Sequence, residues 1–252
     1  MPYSDRFQLF TPKQIASLRT GGAILRDCLK HVAAQVKPGI TTGELDRIAE
    51  QFILERGGKP AFKGYHGFPA TLCISVNDVV VHGIPGPLVI KPGDIVSLDG
   101  GVIYDKLYTD ACVTVPVGNV GAKMQTFLDV TSSALEDVIK QVVKPGARIG
   151  DISSFLERRL EAGGYTVVRQ LTGHGLGSTL HQYPDVPNFG TAGEGPVLPL
   201  HTIIAIEPIA SLRSGHIVTD DDNWTIRTVD GSWACHFEHT VLTTEEGCEI
   251  IA

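Results

Sequence analysis

The chain has 252 residues, of which 42% are hydrophobic and 19% charged, and its formal net charge is -7. This composition is typical of a globular protein with a sizeable core, and it lacks the basic excess of proteins that bind nucleic acid or anionic membranes. Five cysteines without a CxxC pair argue against a disulfide framework and against a thiolate zinc site.

Two features of the sequence concern the cellular location of the protein. The N-terminal segment shows no cationic stretch followed by an apolar core and a cleavage site. No apolar run reaches the length that spans a membrane. We therefore expect a cytoplasmic protein that does not enter the membrane and does not take nucleic acid as its substrate.

Two helices open the chain, each with a capping box at its start. Thr11 and Gln14 precede an apolar pattern of helical spacing that stops at Pro38 and Gly39. Thr41 and Glu44 precede a second pattern, which Gly57 and Gly58 end. Residues 60–117 then change to short β-type runs separated by proline and glycine.

The same order recurs in the second part of the chain. A helix is predicted over 121–143, and a shorter one from Gly150 to Leu160 that parallels Gly43 to Leu54. Strands follow in both parts, each set containing a His-Gly pair and an acid within an apolar run. We therefore predict one α+β domain, 1–252, built from two pseudo-symmetric halves at about 11–118 and 119–245. Their strands join into one sheet, with helices on the outer face and a site at the centre.

Residues Leu171 to His181 carry two histidines, His174 and His181, among three glycines. Glycines at alternate positions permit tight bends and the close approach of other groups. Both histidines are candidate metal ligands, although a lone histidine is more often a hydrogen-bonded core or surface group.

Four acids lie within apolar, strand-like runs: Asp99, Asp110, Glu207 and Glu238. Any one of them alone could face water at a sheet edge. A hairpin through Tyr104 to Lys106 would bring Asp99 and Asp110 side by side, where like charges repel unless they are protonated or bridged by a cation.

With His174, these acids offer four anionic oxygen ligands and one imidazole nitrogen. Four negative charges match two divalent cations. Oxygen-rich ligation without thiolate suits Co, Mn, Fe or Zn, and ligand type does not select among them.

Five motifs occur in order along the chain: HGIP at 82–85, LDGGVIYDKLYTD at 98–110, GHGLGSTLH at 173–181, IEP at 206–208 and FEHT at 237–240. With GYHGFPATLCISVND at 64–78, they make the chain resemble the type I methionine aminopeptidases over about its whole length. The resemblance implies the pita-bread fold, with a curved antiparallel sheet, and two adjacent metal ions. It also implies removal of the N-terminal methionine from nascent polypeptides whose second residue is small.

The resemblance also assigns roles to residues. Asp99 would chelate one metal, His174 and Glu207 would complete the other, and Asp110 and Glu238 would bridge both. Glu207 would also accept the proton of the attacking water. His181 would donate to the oxygen that gains charge, and His82 would contact the substrate amide nitrogen or its next residue. The methionine pocket would be lined by Phe62, Tyr65, Phe68, Cys73, Leu180 and Trp224.

Some positions depart from the family pattern. Gln182 stands where an acid is frequent, Ser178 and Thr179 replace residues that are commonly basic or bulkier, and His236 adds an unusual imidazole beside Glu238. Two alternatives keep the fold: an Xaa-Pro aminopeptidase, and an inactive peptide-binding homologue. We expect a monomer whose partners are nascent polypeptide N-termini, with contact to the ribosome left open.

Overall fold

The computed structural model describes residues 6–252, so the first five residues of the segment inspected for a leader lie outside the described range. Four α-helices are present in the described chain: α1 (Pro12–Ala33), α2 (Thr42–Glu55), α3 (Ala122–Gln141) and α4 (Ile149–Ala162), together with a short 3-10 turn, Tyr65–Gly67. Among residues 6–252, no helix is long and apolar enough to cross a bilayer.

The helix starts follow the local sequence. Thr11 and Thr41 each accept a hydrogen bond from the backbone N–H three residues on, and the side chains of Gln14 and Glu44 return to the capping residues. These reciprocal bonds satisfy N–H groups that a helix start otherwise leaves unpaired. Both predicted capping boxes are therefore confirmed.

The remaining elements are short strands, most of them antiparallel to their neighbours. In the described chain they are β1 (Lys59–Pro60), β2 (Leu72–Val76), β3 (Val79–Val81), β4 (Ile95–Tyr104), β5 (Leu107–Pro116), β6 (Thr166–Val167), β7 (Thr172–Gly175), β8 (Gln182–Pro187), β9 (Ile203–Ile206), β10 (Ile209–Ser211), β11 (Ile217–Thr219), β12 (Ile226–Thr228), β13 (Ala234–His236), β14 (Glu238–Thr244) and β15 (Gly247–Ile250). The main sheet runs β1-β4-β5-β14-β9-β7-β8, with β2 beside β4 and β15 beside β14.

The two faces of this sheet have different neighbours. On β4, Leu98 is fully buried in the cluster formed with α1 and α2, and a methyl group on Gly100 would meet Leu25 and Leu29 of α1. Because side chains alternate along a strand, Asp99 points to the opposite face. Helices α3 and α4 pack likewise with Val241 of β14 in a second core cluster. The helices thus cover the outer face, and the other face is left for the site.

The hairpin between β4 and β5 is tighter than its sequence suggests. Tyr104 pairs with Leu107, and Asp105 and Lys106 form the turn with φ angles of 49° and 66°. Two residues with positive φ match the twist of the flanking strands. In the resulting register Asp99 faces Cys112 while Asp110 faces Gly101, so the two acids are diagonal neighbours on one face.

The curled antiparallel sheet with helices on one side confirms the predicted α+β architecture. One structural parallel between the two parts is local. Gly43 N–H donates to Gly86 O at the start of α2, and Gly150 N–H donates to Glu194 O at the start of α4. The limits of the two pseudo-repeats, 11–118 and 119–245, stay a prediction.

Candidate metal centre

A row of residues crosses the inner face of the sheet. Cys73 on β2 pairs with Asp99 on β4, Asp99 pairs with Cys112 on β5, and Cys112 pairs with Glu238 on β14. Residues paired in this way project to the same side of a sheet. Asp110, two residues before Cys112, shares that face. Strand register alone therefore gathers three acids from distant parts of the sequence.

The acids meet a histidine at the centre of the row. Ligand atoms of Asp110, His174 and Glu238 lie within 4.8 Å of one another, and all three residues are buried. Thr240 fixes the backbone of Asp110, since its hydroxyl accepts from Asp110 N–H at 2.9 Å and donates to Asp110 O at 2.7 Å. Asp110 Oδ1 and Glu238 Oε1 are buried without a hydrogen-bond partner among the described residues.

His174 lies on β7 with its ring fixed at one nitrogen. Nδ1 is 3.0 Å from the carbonyl oxygen of Gly175, which can only accept, so Nδ1 carries the proton and Nε2 keeps a lone pair. Nε2 lies 3.6 Å from Glu207 Oε1. Glu207 follows β9, which pairs with both β7 and β14.

The glycines beside His174 are required by close backbone contacts, as their spacing predicted. A methyl group on Gly173 would lie 2.4 Å from Ala205 O, and one on Gly175 would lie 2.1 Å from Tyr183 O. Only glycine lets β7 enter this crowded position between its neighbours.

Burial dominates the electrostatics of the centre. It raises the pKa of Asp99 to about 8. It also raises the pKa of Asp110 well above its usual range, and the charge of Asp99 adds to this second shift. Burial followed by the charge of Asp110 also raises the pKa of Glu207 and of Glu238. Burial lowers the pKa of His174 to about 3. Without a counter-charge, these acids resist ionisation together and the imidazole stays neutral.

These residues suit divalent cations. The unpartnered oxygens of Asp110 and Glu238 offer lone pairs inside the cluster, and His174 Nε2 offers a neutral nitrogen beside them. Cations would neutralise acids whose burial and mutual repulsion otherwise oppose ionisation. Oxygen-rich ligation with a nitrogen donor is typical of sites for Mn, Co, Fe or Zn.

His181 and His82 line the same cavity as this cluster. The rings of His174 and His181 are 4.2 Å apart, and His181 Nδ1 is 2.9 Å from the hydroxyl of Tyr65. His82 has a left-handed φ of 58° and lies edge-on to Trp224 at 6.2 Å. Burial lowers the pKa of both histidines, to about 4 for His181. Both rings are therefore neutral at pH 7 and each carries a single N–H.

One cavity of about 250 Å³ is lined by every candidate metal ligand, catalytic residue and pocket residue named from the sequence. The five metal-ligand candidates, His82 and His181 form the polar part of its lining. Its other wall is apolar and comprises Phe62, Tyr65, Phe68, Cys73, Leu180 and Trp224. Phe68 and Trp224 meet edge to face, with centroids 5.1 Å apart. An apolar wall opposite a few convergent polar groups is the usual form of a small-ligand site.

Two contacts at this site are not evident from the sequence. Gln8 Oε1 accepts from Ser178 N–H at 3.1 Å, Ser178 Oγ at 2.8 Å and Gln182 Nε2 at 3.0 Å, which ties the N-terminal segment to the loop before His181. His236 lines the cavity and burial lowers its pKa to about 3. The sequence signal for these contacts was that Ser178, Gln182 and His236 differ from the residues usual in the family at those positions.

Known proteins match the chain in sequence. The model of metallopeptidase family M24 matches residues 16–245. The methionine aminopeptidase of Clostridium perfringens is 43% identical over 94% of this chain and 95% of its own. Methionine aminopeptidase 1 of Bacillus subtilis is 41% identical over 96% of this chain and 97% of its own.

Solved structures agree with these matches. The crystal structure of methionine aminopeptidase from Thermotoga maritima superposes with a TM-score of 0.95 at 41% identity, over 98% of this chain and 99% of that one. A prolidase from Pyrococcus furiosus has a TM-score of 0.79 at 21% identity, over 96% of this chain and 64% of its own, which shows a shared fold alone. The family model and the full-length relatives together show that the chain belongs to metallopeptidase family M24.

Proposed function

We propose that the chain is a metal-dependent methionine aminopeptidase that removes the N-terminal methionine from nascent polypeptides with a small second residue. The observation that carries this proposal is one cavity that is lined both by a buried cluster of acids and imidazole and by an apolar cluster. The names of the full-length relatives support the same activity.

In this proposal two divalent ions, of Co, Mn, Fe or Zn, are held by five residues: Asp99, Asp110, His174, Glu207 and Glu238. Asp110 and Glu238 would serve both ions, since β5 and β14 lie between β4, which carries Asp99, and β7, which carries His174. Ions in such a site supply a water nucleophile of low pKa and a Lewis acid for the peptide carbonyl. Hydrolysis then needs no serine or cysteine nucleophile.

The chain's own residues supply the proton transfers. Glu207 accepts a proton from water and passes it to the leaving amine, which requires hydrogen-bond reach and an ionised carboxylate. If the Tyr65 hydroxyl donates to His181 Nδ1, then His181 Nε2 carries the proton and can donate to the oxygen that gains charge. His82, which lies beside Trp224 in the cavity, contacts the amide nitrogen or the second residue of the substrate.

The apolar wall selects the first residue of the substrate. Burial of an unbranched thioether among aromatic rings is favourable, and contact of sulfur with a ring edge adds roughly 0.3–1.5 kcal/mol. Phe62, Phe68, Cys73 and Leu180 are buried in one cluster, against which Tyr65 and Trp224 pack. We also propose that the protein acts as a monomer in the cytoplasm, where ribosomes supply its substrates.

The test is release of methionine from Met-Ala-Ser after chelation and after re-addition of single metals. Chelation should abolish release, and at least one of Co, Mn, Fe or Zn should restore it. Ala-Pro peptides serve as the control for Xaa-Pro cleavage. Cleavage of Ala-Pro in preference to Met-Ala-Ser, or no cleavage with any metal, contradicts the proposal.

Glu238→Gln tests the ligand set, because it keeps the size of the side chain and removes its charge. Loss of an outer hydrogen-bonding partner of a metal site costs about 10–100-fold in activity, so loss of a shared ligand should lower kcat by more than about 100-fold. Exposed Glu246, in the turn after β14, gives the matched control Glu246→Gln, which should retain full activity. Equal activity of the two variants would remove Glu238 from the ligand set.

A further inference from the structure

His236 is a buried imidazole that the proposed mechanism does not use. It ends β13, two residues before Glu238, and is 3% exposed. Its Nε2 atom has no hydrogen-bond partner among the described residues, although it is fully buried. An unpaired buried polar atom of this kind is costly and requires a partner that the fold alone does not supply.

Two carboxylates face this nitrogen. Nε2 is 3.7 Å from Glu207 Oε2 and 3.9 Å from Glu238 Oε2. The other oxygen of Glu207 faces His174 Nε2 at 3.6 Å. The carboxylate of Glu207 is therefore held between two imidazoles, one beside each oxygen.

The backbone of His236 is firmly placed. Its N–H donates to Thr114 Oγ1 at 3.1 Å, and its carbonyl accepts from the same hydroxyl at 2.6 Å. Its Cα pairs with that of Ile209 on β10, two residues after Glu207. Strand pairing thus sets the ring beside Glu207, and a movement of a few tenths of an ångström would bring Nε2 within hydrogen-bond range.

The two imidazoles face Glu207 with opposite hydrogen-bonding character. His174 gives its proton to Gly175 O and turns a lone pair toward the cluster. A lone pair on His236 Nε2 would be repelled by two carboxylate oxygens, whereas an N–H there would be attracted by both. A neutral imidazole carries one N–H on either nitrogen, so its surroundings select the Nε2–H form.

We propose that His236 is a positioning residue, whose Nε2–H donates to Glu207 Oε2 and so turns Oε1 toward the metal position that it shares with His174. This inference rests on the proposed function, since it assumes that Glu207 ligates a metal. Hydrogen bonds to ligating carboxylates hold them in orientation, and their loss lowers metal affinity by about 10–100-fold.

The experiment compares the native chain with His236→Gln and His236→Met. Glutamine keeps an N–H donor on a side chain of similar reach, and methionine fills the space without a donor. Metal-free samples are titrated with Co(II) by calorimetry, and the visible absorption bands of the bound ion are recorded. His236→Met should bind Co(II) about 10–100-fold more weakly than the native chain, and its absorption bands should shift. His236→Gln should bind Co(II) within about threefold of the native affinity and keep the native bands.

Several outcomes separate this inference from the proposed function. A native chain that binds no Co(II) contradicts the proposed function itself. Native-like binding by both variants, or equal weakening in both, leaves metal binding intact and overturns the role of His236. If His236→Met does not fold, ¹⁵N-histidine spectra of the Zn(II)-loaded native chain decide instead: a protonated His236 Nε2 supports the inference, and a metal-bound one overturns it.

Discussion

At the scale of single residues, the orientation of His181 depends on Tyr65. The hydroxyl of Tyr65 lies 2.9 Å from His181 Nδ1, and donation from that hydroxyl leaves the ring proton on Nε2. Tyr65→Phe should therefore leave the pocket wall intact and release the ring to adopt either tautomer. Loss of one neutral hydrogen bond costs about 1 kcal/mol, so kcat/KM should fall by about fivefold.

Steady-state hydrolysis of Met-Ala-Ser measures this effect. The control is Tyr104→Phe, because Tyr104 lies at the far end of β4 beside the hairpin turn. Tyr104→Phe should match the native enzyme. An unchanged kcat/KM in Tyr65→Phe would show that another contact orients His181.

The sequence singled out these residues as candidates, but it gave no information on their hydrogen bonds. Acids inside apolar runs are rare enough that Asp99 and Glu207 stand out as candidates by their local context alone. By contrast, the proton position on His174 follows from Gly175 O, and the environment of His236 follows from β13 lying beside β10. Such partners come from tertiary contacts that leave no local pattern in the chain.

At the scale of elements, the N-terminal segment acts on the loop that carries His181. Gln8 Oε1 accepts three hydrogen bonds from Ser178 and Gln182, and the ring of Phe10 occupies the space beside Gly177. Gln8→Leu should loosen the loop, because it removes the single oxygen that accepts all three hydrogen bonds. Partly exposed hydrogen bonds contribute about 1 kcal/mol or less each, so we expect a fall of about fivefold in kcat/KM.

Hydrogen exchange gives a second measurement, since the Ser178 amide is one of the three donors. Its exchange should accelerate in Gln8→Leu. Gln8→Glu keeps an acceptor in the same place and should behave like the native chain in both assays. Slow exchange at Ser178 in Gln8→Leu would exclude this role of the N-terminal segment.

Element boundaries were predicted well where local chemistry sets them. Capping boxes placed the starts of α1 and α2, because those bonds lie within four consecutive residues. The register of β4 against β5 was less accessible. From the sequence we expected the hairpin to place Asp99 and Asp110 side by side. The two-residue turn at Asp105 and Lys106 sets a register in which the two acids are diagonal neighbours.

At the scale of the whole molecule, the fold concentrates acidic side chains in its interior. Asp99 and Asp110 come from one hairpin, while Glu207 and Glu238 lie more than ninety residues later in the chain. Burial raises the pKa of each of these acids above its value in an unfolded chain. The stability of the metal-free fold therefore depends on pH through the ionisation of these four acids.

The sign of this coupling gives a test in the metal-free chain. A carboxyl whose pKa is higher in the folded state stabilises the fold below its unfolded pKa, near 4, and this contribution is lost as the pH rises through the folded pKa, which for Asp99 is about 8. The Tm of the metal-free chain should therefore fall between about pH 5 and pH 8, by roughly 10 °C. Since metal ions bind the ionised acids, the gain in Tm on adding Mn(II) should grow over the same interval. Asp99→Asn cannot ionise at this position, so it should reduce both the fall in Tm and the growth of the gain from Mn(II). A Tm that is constant or rises with pH in the metal-free native chain would contradict the coupling.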